Sequence, residues 1–318
     1  MKTILSALAL CLPVIAGYAQ SKCQNWYEDF NFTGNVSKVI VKEYFFVEGS
    51  YDEIALNDVT HQGVYTFNDK NDVVSNEHTY QAEDPQVTMY EYDADGRTLS
   101  SSRIVDDRLY EIQIMRYDYE GRLSEQSTYS NDGELYERRC MKYDDMSRLV
   151  EDVTYWDGSI SRLITHKYDS KGNKVETVHK KKGYAVPQGR YSVESEPVEP
   201  ESLTFDEVMT TVYEYDQNGY CLMERFSGSE FFRPYENHYK RDKNGRLLEY
   251  ANEHDEIVRY VYDDESGLMQ MITVHVGGVL EELVEETYDH KGNLIRRVHY
   301  NGPERIPVKV MEVEYEYR

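Results

Sequence analysis

Tryptophan, proline, cysteine and basic side chains are all scarce in this 318-residue chain. Of four cysteines, Cys11 falls in an N-terminal leader, which leaves Cys23, Cys140 and Cys221. An odd count cannot complete a disulfide framework, so a disulfide-stapled scaffold is excluded. Lys and Arg number 35 against 59 Asp and Glu. Such a surface repels nucleic acid and anionic lipid, both of which recruit basic patches. The sequence has no nucleophile elbow, phosphate-binding P-loop, paired-histidine zinc helix or dinucleotide fingerprint. After the leader no apolar run approaches the ~20 residues that a membrane-spanning helix needs.

The leader itself has three parts. Lys2 supplies positive charge, Ile4 to Ile15 an apolar stretch, and Ala16-Gly17-Tyr18-Ala19 a small-residue cleavage site before Gln20. This pattern reads as a signal peptide over 1–19. Leu10, just before Cys11, is too large for a lipid-attachment box. The processed chain then carries 34 basic against 59 acidic residues, a net charge of −25. The expected location is periplasmic or extracellular.

The rest of the sequence repeats itself. Tyr92-Asp93-Ala94-Asp95-Gly96-Arg97 is echoed by Tyr117-Asp118-Tyr119-Glu120-Gly121-Arg122. Further copies centre on Asp144, Asp169, Asp216, Asp242, Asp263 and Asp289, and Phe67-Asn68 begins a degenerate first copy. From Asn68 the anchors follow at 25, 25, 26, 25, 47, 26, 21 and 26 residues. A fixed period of this kind marks a repeat architecture.

Each copy reads as a β-hairpin. Before the anchor, residues alternate as in Tyr90-Glu91-Tyr92 and Tyr213-Glu214-Tyr215, so one strand face collects Tyr and the other charge. At the anchor, Asp bonds nearby backbone donors and Gly takes a positive φ without steric cost. Asn71, Ser147 and Ser266 stand where other copies have Gly. A second set of turns, including Asn131-Asp132-Gly133 and Asp157-Gly158, separates the copies. Turns at both ends predict an up-and-down antiparallel meander of about eighteen strands. Neighbouring strands rotate by roughly 20–25°, so the sheet should curl through about one revolution. The expectation is therefore an all-β protein, a long curled meander with its Tyr and Leu face inward.

Two segments depart from the period. Residues 20–64 lack the anchor and read as an N-terminal β cap, since terminal repeats are often atypical. The array spans 65–318, with an exposed Pro- and Glu-rich insertion at about 181–207. Cys140 and Cys221 fall five strands apart in this meander, too far to pair.

The copies resemble the YD repeats of the Rhs family, whose unit is Tyr-Asp-x-x-Gly-Arg followed by Leu. Gly96-Arg97, Gly121-Arg122 and Gly245-Arg246 carry the match. Val36 to Tyr44 and Tyr65-Thr66-Phe67-Asn68 also resemble small exported repeat proteins of the Bacteroidota. Large YD proteins wrap many copies into a shell around a C-terminal toxin. This chain has too few copies for such a shell, and its one Asp-Pro pair, Asp84-Pro85, lacks the self-cleavage context.

Chemistry is sparse by comparison. His179 and His299 each lie ten residues after an anchor, an ordinary strand position. Paired carboxylates such as Asp93 with Asp95 suit calcium, but no copy has the twelve-residue loop, so no cofactor is expected. Tyr in strand alternation belongs to the core face. Trp26 and Trp156 are the candidate ligand-binding residues, Trp156 because it sits at an inter-copy turn. These features point to an exported envelope protein that binds an unknown protein or glycan through its sheet surface. The alternative is a glycan-directed enzyme on a repeat scaffold. A localised pocket of convergent acids with perturbed titration would favour the enzyme, and a continuous shallow groove the binder.

Overall fold

A computed structural model describes residues 32–45, 59–80, 83–182, 205–228 and 234–318. The leader, Trp26, Cys23 and most of the 181–207 insertion lie outside the described residues. The first strands are β1 (Val36–Phe45), β2 (His61–Phe67), β3 (Val73–Tyr80), β4 (Gln86–Tyr92) and β5 (Thr98–Val105). Next come β6 (Arg108–Tyr117), β7 (Leu123–Ser130), β8 (Leu135–Tyr143), β9 (Leu149–Trp156) and β10 (Ser159–Tyr168). They continue as β11 (Lys174–Lys181), β12 (Glu207–Tyr215), β13 (Cys221–Ser227), β14 (Tyr235–Arg241) and β15 (Leu247–Asn252). The last are β16 (Glu256–Tyr262), β17 (Met269–Val276), β18 (Val279–Tyr288), β19 (Leu294–Asn301) and β20 (Ile306–Tyr317).

Each strand pairs antiparallel with its sequence neighbours, and β1 also pairs with β20 from Val36↔Tyr317 to Phe45↔Lys309. The sheet therefore closes into a 20-stranded up-and-down barrel. This corrects the open curled meander expected above. The physical reason lies in the segment taken for a cap. Val36–Phe45 offers one edge to β2 and the other to β20, so the accumulated twist ends in pairing and both free edges disappear. The two strands beyond the expected eighteen are this closing pair, β1 and β20. Twenty strands at ~4.8 Å, tilted by ~40°, make a wall roughly 40 Å across.

The Tyr-Asp anchors work as a set of interlocking contacts at one end of the barrel. Asp93 Oδ1 accepts from the backbone N–H groups of Asp95 and Arg97, and its Oδ2 accepts from Arg97 Nε at 2.6 Å. Asp118 and Asp144 repeat this with Arg122 and Arg148. Gly121 closes its turn at φ +79°, and Asn71 and Ser147 hold the same left-handed conformation at 65° and 60°. Ser266 does not, because its turn is one residue longer and Gly267 takes that role at 72°. The anchor tyrosine reaches back to the preceding strand. Tyr117 Oη donates to the Thr98 carbonyl at 2.7 Å, Tyr143 to Leu123 at 2.8 Å and Tyr168 to Leu149 at 2.7 Å. The arginine reaches forward. Arg97, Arg122 and Arg148 lie over the rings of Tyr117, Tyr143 and Tyr168, 4.7–5.1 Å from their centroids. Tyr, Asp, Gly and Arg thus each hold a different part of the turn or of the joint between copies.

Apart from two buried patches on the outer face, Val153 with Leu163 and Tyr44 with Val298 and Val310, burial distinguishes the two faces of the wall. Tyr90, Tyr92, Ser101, Thr128, Asp152 and Thr177 share one face and are buried or half-buried. Met89, Glu91, Ile114, Arg116, Lys142 and Lys167 share the other and are exposed. Side chains converge on a concave face and splay on a convex one, so the first set lines the interior. Cys140 on β8 and Cys221 on β13 are five strands apart and do not pair with each other.

Candidate functional site: the inner wall and the seam pocket

Tyrosine rings at the anchor end of the inner wall give way to a polar belt at mid-height. Across the ladder Tyr65 faces Asn76, Ser101 faces Gln113, Gln126 faces Arg139, and His166 faces Thr177. Gln126 Nε2 donates to Gln113 Oε1 at 3.0 Å, and His166 Nδ1 lies 3.0 Å from Thr177 Oγ1. Arg139 donates from Nε to Asp152 Oδ1 at 2.8 Å, and the Asp152 carboxylate is only 3% exposed. Arg297 likewise binds Glu286, which is 1% exposed, at 2.8 Å. Sequence reasoning placed Tyr and Leu on this face but missed the polar belt. The signal was available, because Asn76, Ser101, Gln126, Asp152 and Thr177 follow one another at the anchors' own spacing.

At the end of the barrel away from the anchors, the closing seam forms a pocket of about 570 Å³. Its walls come from β1, β2, β3, β18, β19 and β20, and include Glu43, His61, Tyr80, Glu282, His299 and Lys309. Glu43 is its electrostatic centre. Lys309 Nζ stands 2.5 Å from one carboxylate oxygen and His61 Nδ1 3.3 Å from the other. Burial alone would push Glu43 up, but the hydrogen bonds from His61 and Lys309 outweigh it and hold the pKa down at about 2. His61 Nε2 is 2.9 Å from His78 Nδ1, and its ring stacks on Tyr80 with centroids 4.6 Å apart. Burial, helped by the neighbouring His61, lowers His78 to about 4. Burial and the charges of Lys309 and Arg297 lower His299 to about 4.

These shifts predict acid lability. Between a histidine's free pKa of ~6.5 and its lower folded value, the unfolded chain binds more protons, so stability is lost as the pH is lowered through that window. Glu43 adds a further loss below the ordinary carboxylate range, as its folded value of about 2 is approached. Melting temperature should drop steadily from about pH 6.5 to 4, and His299→Gln should flatten that drop. An unchanged profile in the variant would contradict the assignment.

The pocket is localised and its titration is perturbed, but Glu43 does not fit the role of a general acid. A carboxyl that donates a proton near neutral pH has its pKa raised, whereas Glu43 is held ionised. Among the described residues no group of three or more His, Cys, Asp or Glu converges as metal ligands. Of the two tryptophans proposed from sequence, Trp156 ends β9 and is 40% exposed, with its ring edge-on to Tyr136 at 5.1 Å. His179 sits on the inner wall facing Met209, and His299 lines the pocket.

The outer wall carries charge within its strands. Lys142 pairs with Glu151, Lys167 with Glu176, and Lys240 and Arg259 both with Glu249. A bilayer-spanning barrel needs an apolar outer band ~25 Å tall, and each Lys or Arg at its middle costs ~2–4 kcal/mol. Among the described residues the outer wall mixes these charged pairs with exposed apolar side chains, among them Met89, Ile114 and Val212.

The fold is a closed antiparallel barrel with a polar inner wall. No protein-family profile matches the chain, and no curated protein sequence matches it. Some solved structures are similar in part. A porin-like protein from Bacteroides uniformis is 9% identical over 88% of this chain and 96% of its own, with a TM-score of 0.35. A porin-like protein from Bacteroides vulgatus is 15% identical over 76% of this chain and 97% of its own, at 0.27. The TcdB2-TccC3 crystal structure is 12% identical over 91% of this chain, at 0.31, but this chain spans only 18% of its length. None of these scores reaches 0.5, and the reading below rests on the chain's own geometry.

Proposed function

We propose that this protein is an exported binding protein of the cell envelope that holds a polar ligand against the inner wall of its barrel. The observation that carries this reading is the continuous belt of amide, hydroxyl and paired charged groups on a concave face. Ligand sites are concave and orient their ligands through a few fixed polar groups. The seam pocket is the anchoring point, because Lys309, Glu43 and His61 are already held in place by one another. The charged outer wall supports a barrel in the aqueous compartment of the envelope, and the leader supports export. The binding surface is thus the lumen, in place of the open sheet surface first expected.

Native mass spectrometry of protein isolated from its own envelope tests this reading. A bound small molecule should be retained by the wild type and by an outer-wall variant such as Lys142→Ala, and lost from Lys309→Met. Retention by Lys309→Met, or wild-type protein that carries no ligand, would overturn it.

A further inference from the structure

The turns at the mouth of the barrel hold a second arrangement, across the lumen from the seam. In the β5–β6 hairpin Arg103 faces Glu111 and Ile104 faces Leu109, so Tyr110 is an extra, bulged residue. In the β7–β8 hairpin Thr128 faces Glu137 and Tyr129 faces Leu135, so Tyr136 is the equivalent bulge. Bulges re-aim side chains and gather at barrel rims and beside binding sites. Trp156 completes the set, paired with Glu137 in the ladder and packed edge-on against the Tyr136 ring. Tyr110 is 56% exposed, with the Arg103 guanidinium 5.0 Å from its ring centroid on one side.

We infer that Tyr110, Tyr136 and Trp156 form a stacking platform for a neutral oligosaccharide. Tyr110 and the Tyr136–Trp156 pair stand two strands apart, about 10 Å, which roughly two linked hexoses would span. A pyranose ring presents an apolar C–H face and a polar edge, so it suits rigid aromatic rings with polar groups between them. Those groups are present. Glu111 accepts from Tyr136 Oη, and Arg103 donates to Gln86 Oε1 at 3.0 Å, which fixes both for bonding to hydroxyls. A protein partner fits less well, because charged side chains separate the rings where an interface centre would be apolar and continuous. An anionic polymer would meet a chain of net charge −24. This inference rests on the binding reading above and gives it a ligand class.

Calorimetric titration with cello-, xylo-, manno- and chitohexaose tests it. At least one should bind the wild type. Trp156→Ala and Tyr110→Ala should each weaken that binding about tenfold. Trp156→Phe, which keeps a stacking face, should stay within about threefold of the wild type, and Lys142→Ala on the outer wall should bind as the wild type does. Circular dichroism confirms that the variants are folded. Equal binding by Trp156→Ala and Tyr110→Ala would overturn the platform. Failure of every hexasaccharide, with an envelope ligand still retained through Lys309, would refute the sugar inference and leave the binding reading intact. Absence of both would sink the two together.

Discussion

Replacing Arg139 with Met should destabilise the barrel by about 3–5 kcal/mol, the usual cost of leaving a buried charge without its partner. Asp152 is the residue left exposed to that cost. Its carboxylate is 3% exposed and receives Arg139 through both Nε and the terminal guanidinium nitrogen. Arg139 reaches it across the ladder from β8, where Met141 is the residue directly opposite Asp152. Removing the cation leaves a buried anion without its main hydrogen-bond partner. Asp152→Asn in the same chain should recover much of the loss, because it removes the charge and keeps the shape. Urea denaturation of the single and double variants measures both effects. If Arg139→Met unfolds at the wild-type midpoint, the inner wall is wet at this level and the pair is not a buried one.

Tyr65→Ala should be comparably severe, at about 3–5 kcal/mol for truncating a large buried aromatic. Tyr65 is fully buried and packs with Val39, Val41, Phe67, Met311 and Val313, a cluster drawn from β1, β2 and β20. Gly63 belongs to the same arrangement. A Cβ there would stand 3.1 Å from the Tyr65 ring, so the missing side chain makes room for it. Because this cluster joins the first and last strands, its loss acts on closure as well as on packing. The variant should melt earlier and also associate, since an opened seam exposes two unpaired strand edges. Thermal melts and light scattering follow the two effects. A monodisperse variant with an unchanged melt would show that the seam does not depend on this cluster.

Local features of the chain were legible in proportion to how local their causes are. The turn at Asp118 and Gly121 depends on four consecutive residues, and its position, its left-handed glycine and the flanking strands were all readable. So was the five-strand separation of Cys140 and Cys221, which follows from counting turns. Closure was not readable. The pairing of Val36–Phe45 with Ile306–Tyr317 joins opposite ends of the chain, and it depends on twist and tilt summed over every strand between them. The seam pocket was hidden for the same reason, since Glu43, His61, His299 and Lys309 meet only once the barrel closes. Trp156 could be singled out as an aromatic at a turn. Its neighbours Tyr110 and Tyr136 could not, because each leaves the strand alternation through a bulge that only the register reveals.

The closed seam is the claim on which the lumen, the pocket and the proposed function all depend, and an engineered disulfide tests it directly. Ile40 on β1 lies opposite Glu314 on β20. With Cys23, Cys140 and Cys221 changed to Ser, Ile40→Cys and Glu314→Cys should form an intramolecular disulfide under mild oxidation, seen as a monomeric crosslink by mass spectrometry. In an open meander the same two residues would sit at opposite edges of the sheet, roughly 90 Å apart at ~4.8 Å per strand. Thiols that stay reduced, or that crosslink only between molecules, would contradict closure.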